Sequence, residues 1–140
     1  MSQAGQPVQI RIDSRQDGEA WSTIVDGWIY PKESSLYIRY EETDEAMGRT
    51  ATTIKVTEQE ITVTRHGDIE SRQSFIHGQS CGGYYTLPQG RLNLATVTHH
   101  IHNRLVQGIG TLAWSYDLLI HEEHAGNVEL TLHIQEGHQS

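Results

Sequence analysis

Cysteine is nearly absent from this chain. Of 140 residues only Cys81 carries a thiol, so no internal disulfide can form and the fold must rest on a non-covalent core. That chemistry suits a reducing compartment, and the cytoplasm is the expected location. Long apolar runs are absent too: nothing approaches the roughly 18 residues of a membrane-spanning helix, and the opening MSQAGQPVQ lacks the charged leader and apolar stretch of an export signal. A soluble protein with no membrane partner is expected. Positive charge is the third scarcity. Ten Lys and Arg stand against 18 Asp and Glu, a formal charge of −8, and no Lys/Arg-rich run offsets it locally. Such a balance repels polyphosphate, so nucleic acid is not an expected partner.

Residues 1–140 are enough for one domain with a continuous core, with residues 1–7 read as a flexible N-terminal tail. What is present is alternation. Val8, Ile10 and Ile12 alternate with Gln9, Arg11 and Asp13, and Leu36, Ile38 and Tyr40 with Tyr37, Arg39 and Glu41. The same period recurs at Ile54 and Val56, Ile61 and Val63, Leu92 and Leu94, Leu112 through Ile120, and Val128 through Ile134. Period two marks half-buried strands, and no helical period of more than a turn or two is visible. The connections at Thr57–Glu60, His66–Asp68, Pro88–Gly90 and Ala125–Asn127 carry turn chemistry and are too short for crossover helices. The strands should therefore be antiparallel neighbours in a meander of roughly eight to ten, closed on itself to remove exposed edges. Gly78–Gly83 reads as a mobile loop, and Gly108 with Gly110 as a bend or bulge.

One set of residues resembles a known family in order and spacing. It comprises Leu36–Glu42, Thr52 with Lys55 and Val56, Val63, Arg65 and Gly67, Phe75 and Gly78, and Gly90, Leu92, Leu94, Thr96 and Thr98. In these the chain is similar to the YwiB-like bacterial proteins of unknown function. The resemblance implies an all-β fold, a single antiparallel calycin-type, lipocalin-like β-barrel, and it implies no activity. His99–His102 lies outside the shared pattern.

Polar residues whose parity places them on the apolar face are the informative ones. Glu42 follows Leu36, Ile38 and Tyr40 in register, and Arg65 follows Ile61 and Val63, so both should point inward. A buried charge needs a partner. Arg65 then meets Glu42 or an anionic ligand group, unless both heads reach solvent at a barrel rim. Along the next strand Leu94, Thr96, Thr98, His100 and His102 grade from apolar to polar, which suits either a ligand cavity or a filled core with locally bonded hydroxyls. His100 and His102 would lie about 6.5–7 Å apart on one face, within reach of one metal if a neighbouring strand supplies a third ligand such as His121 or Glu42. Cys81 near His77 lacks an orienting third group, and no cofactor motif is found, so no cofactor is expected.

These features predict a barrel that holds a small amphipathic or anionic molecule. Its ligand-facing set is Tyr40, Glu42, Lys55, Arg65, Thr96, Thr98, Trp114 and Tyr116, although the parity of Lys55 points outward unless a bulge shifts it. The alternatives are a metal-assisted or acid/base enzyme using the same cavity, and a ligand-free interaction module, dimeric through Tyr37 or Trp28.

Overall fold

In the computed structural model, which describes residues 5–137, the chain forms a closed antiparallel barrel of ten strands. They are β1 (Gln6–Gln16), β2 (Glu19–Pro31), β3 (Leu36–Glu41), β4 (Thr50–Val56), β5 (Ile61–Gly67), β6 (Glu70–Phe75), β7 (Ser80–Leu87), β8 (Gly90–Val106), β9 (Ile109–Ile120) and β10 (Glu123–Glu136). Each strand pairs with its sequence neighbours, and β10 pairs with β1 to close the ring. The only other element among the described residues is a 3₁₀ turn, Glu45–Met47, so none of them lies in a helix long and apolar enough to cross a membrane.

The expected meander is what forms, and its register follows the apolar parity. Ile10 faces Val25 and Ile134, Ile38 faces Ile29 and Ile54, and Ile61 faces Phe75, all pointing inward. Ile10, Ile29, Ile38 and Leu112 have no exposed surface and fill one end of the barrel. Three hairpins turn through two residues, both at positive φ, as tight mirror-image turns require: Asp17–Gly18, Gln107–Gly108 and His121–Glu122.

Several local expectations are corrected. β1 starts at Gln6, so the expected tail of residues 1–7 loses its last two members to a strand, and residues 1–4 lie outside the described residues. Most of Gly78–Gly83 is strand rather than mobile loop, because Ser80–Gly83 pair with Val97–Leu94 of β8. The turn expected at Ala125–Asn127 is instead a bulge inside β10, between His124 and Gly126, and the chain reverses earlier, at His121–Glu122. β2 escapes the alternation test because both of its faces carry apolar groups: Val25 and Ile29 inside, Ile24 and Trp28 outside.

Candidate functional site

The interior is filled at one end and hollow at the other. A cavity of about 440 Å³ lies between β1–β5, β9 and β10, walled by Ile12, Val25, Ile54, Val63 and Leu132. Trp21 stands at its mouth, inward by register opposite Ser14 yet 51% exposed, beside Thr43 and Asp44 of the β3–β4 connection. Its polar lining includes Thr23 together with Tyr40, Glu42, Arg65 and Trp114, the last four from the expected set.

Arg65 has room inside the barrel because its register neighbours, Thr52 on β4 and Ser71 on β6, are small and fully buried. Its Nε lies 3.6 Å from Glu42 Oε2, with the two side chains 21% and 16% exposed. The Thr52 hydroxyl donates to the same Glu42 oxygen, and the Glu42 backbone N–H donates to Thr50 O at 2.9 Å. The charges therefore pair, but Arg65 Nε is buried without a hydrogen bond within normal reach, and so is Trp114 Nε1. Burial, and then the Glu42 charge, raises the pKa of the Tyr40 hydroxyl well above its ordinary value. Burial pushes Tyr116 up to about 12, against the opposing effects of Arg65 and of a Gln73 hydrogen bond. Both phenols stay protonated donors near neutrality.

The rest of the expected set lies elsewhere. Thr96 is buried, and its hydroxyl donates to Ser74 O at 2.6 Å, a bond within the barrel wall. Thr98 faces Tyr116 across β8–β9 and is buried with its hydroxyl unpartnered, but it does not line the cavity. Tyr116 packs on Phe75, ring centroids 4.6 Å apart, behind the cavity wall. Lys55 points outward, its Nζ 5.8 Å from the Tyr37 ring centroid, so no bulge brings it inside.

His100 and His102 are corrected by a bulge. Register slips between Thr98 and His100, so the inward parity of Leu94, Thr96 and Thr98 passes to Ile101 and Leu105, and both histidines turn outward. Their rings stack 6.0 Å apart on the rim of a wide outer hollow of about 780 Å³, floored by Ala20, Ser22, Ala113, Ser115 and Thr131. This hollow is larger than the cavity and shares Trp21, Trp114 and Leu130 with it, but Glu42 and Arg65 do not line it. Among the described residues no three His, Cys, Asp or Glu side chains gather as a metal site. Cys81 lies on β7 opposite Thr96.

Trp21 is the site residue that parity reading missed. Asp17-Gly18 is a strong two-residue hairpin signal, and folding the chain back there sets Trp21 across from Ser14, on the inward face of Ile10 and Ile12.

Comparison with known proteins gives one consistent answer. The family model described as "Domain of unknown function (DUF1934)" matches residues 7–132. The uncharacterised β-barrel protein YwiB of Bacillus subtilis (strain 168) is 28% identical over 131 residues, covering 89% of this chain and 92% of the relative. The crystal structure of the ywiB protein from Bacillus subtilis superposes with a TM-score of 0.75 over 96% of this chain and 93% of that one, again at 28% identity.

Proposed function

The chain belongs to the DUF1934 family, and from that premise, which brings a barrel and no chemistry, we propose that it binds one small amphipathic or anionic molecule in the mouth cavity. A volume of about 440 Å³ is within the range of small-molecule sites, which are mostly apolar with a few convergent polar groups. The apolar body would rest on Ile12, Val25, Ile54, Val63 and Leu132, with Trp21 closing over it. The acceptor head would lie toward the Arg65 guanidinium.

The observation that carries this reading is a charged pair, Arg65 with Glu42, set into the lining of a cavity whose other walls are mostly apolar. Native mass spectrometry of gently purified protein, before and after denaturation, tests it. An organic adduct lost on denaturing is expected. Its absence, together with unchanged tryptophan fluorescence across a panel of amphipathic carboxylates and phosphates, would remove the proposal.

A further inference from the structure

The barrel's outer face is not uniformly acidic. Register places Trp28, Arg39, Thr53, Thr64, Arg72, Tyr84 and Asn93 in one row across β2–β8, all pointing out. The next row is Tyr30, Tyr37, Lys55, Thr62 and Ser74. Neither row contains an acid. Lys32 lies just past Tyr30 at the end of β2, and the Arg91 guanidinium sits 4.2 Å from the Tyr84 ring centroid. Counting Arg91, which register places one row over beside Thr86 and Glu70, five of the ten cations lie along this band of the outer wall, and the other five stand against all 18 acids. None of these five makes an ion pair among the described residues.

Acids bound the band rather than interrupt it. Asp26, Glu41 and Glu70 occupy the row on one side, and Glu58 and Glu60 lie in a turn on the other, with Glu33 next to Lys32 in the β2–β3 connection. Within the band a hollow of about 260 Å³ is framed by Tyr30, Tyr37, Lys32, Arg39 and Thr53, two ring-bearing and two cationic side chains around a hydroxyl. Trp28, 42% exposed, stands beside Arg39.

We propose that this face of β2–β8 binds single-stranded nucleic acid. Cations alone would suit any polyanion, but one exposed ring, Trp28, and the half-buried rings Tyr30 and Tyr37 interleaved with cations suit a strand whose bases are free to stack while its phosphates meet Arg and Lys. A duplex hides its base faces and would leave Trp28, Tyr30 and Tyr37 unused. Seven strands at about 4.8 Å spacing give a track of about 29 Å, enough for a handful of nucleotides, in the range of single-strand sites on small barrels. Net charge argues against such a partner only when averaged over the surface. The acidic remainder would instead restrict the strand to this band.

The test is fluorescence anisotropy of the full chain with labelled oligo(U) and oligo(dT) of about 12 nucleotides, long enough to overrun the track at both ends. We expect binding at about 50 mM salt that weakens with a log–log slope of about −2 to −3.5, from three to five phosphate contacts. Trp28→Ala should weaken it about tenfold or more by removing a stacking platform. Arg39→Ala with Lys55→Ala should flatten the slope by about 1.4, from two lost contacts, while Arg104→Ala, outside the band, should change neither. All these positions are exposed, and circular dichroism verifies that each variant folds. The proposal is overturned by no binding at low salt, by binding indifferent to Trp28 and Arg39, or by duplex binding more tightly than single strands. Equal binding of polyglutamate would likewise overturn it, by marking the face as one for acidic protein segments.

Discussion

Thr96 and Thr98 are two residues apart on the inward face of β8, and both are buried, yet their hydroxyls differ in circumstance. That of Thr96 donates to Ser74 O at 2.6 Å, whereas that of Thr98 has no partner. Valine replaces threonine with almost the same shape, so one substitution at the two positions isolates the hydroxyl. Thr96→Val should lower stability by about 1 kcal/mol through the lost bond, and Thr98→Val should raise it by up to about 1 kcal/mol by removing a desolvated, unpaired group. Urea unfolding measures both, and equal signs would contradict the hydrogen bonds described above. At this scale the sequence was legible where parity ran uninterrupted: Glu42 and Arg65 meet inside as the alternation from Leu36 and Ile61 requires, and Lys55 points out as its own parity says. What parity could not tell is whether a buried hydroxyl finds a carbonyl, because that depends on the approach of β6 to β8, which is set in three dimensions.

Turns and bulges decide what an element presents. His121 and Glu122 adopt φ of 53° and 66° without a glycine, in a turn geometry that Asp17–Gly18 and Gln107–Gly108 each reach with one. A left-handed backbone strains a residue bearing Cβ. Glu122→Gly should therefore stabilise the protein by about 0.5–1 kcal/mol after allowing for the greater freedom of glycine in the unfolded chain, and raise the melting temperature by about 2–4 °C. A calorimetric scan showing no rise would mean that the Glu122 side chain makes a compensating contact. The same elements explain which parts of the fold were hard to read. A single extra residue at the β8 bulge reverses parity, so His100 and His102 moved from expected cavity lining to the outer surface, and no residue type at that point announces the slip. β2 was hidden because Ile24 and Trp28 make its outer face as apolar as its inner one, a pattern that alternation cannot resolve.

Every strand pairing is a local hairpin or a short connection except the seam between β1 and β10, which joins Val8 to Glu136 through nine register pairs. Folding rates fall as contacts become more distant in sequence, since the chain must close a long loop before those pairs reward it. Gly137 N–H donates to Pro7 O at 3.1 Å, so a short linker can join the two ends of the described chain and turn this seam into a hairpin. Where the ring is then opened decides which seam becomes the distant one. Opening it in the turn before Gln79 assigns that part to β6–β7, which share only three register pairs. Opening it at Gln107–Gly108 assigns it to β8–β9, which share twelve. With the linker common to both, the first permutant should refold several-fold faster than the second, and faster than the parent, in stopped-flow tryptophan fluorescence. Equal rates for the two permutants would show that barrel closure comes after the rate-limiting step, with the core around Ile10, Ile38 and Leu112 already formed in the transition state.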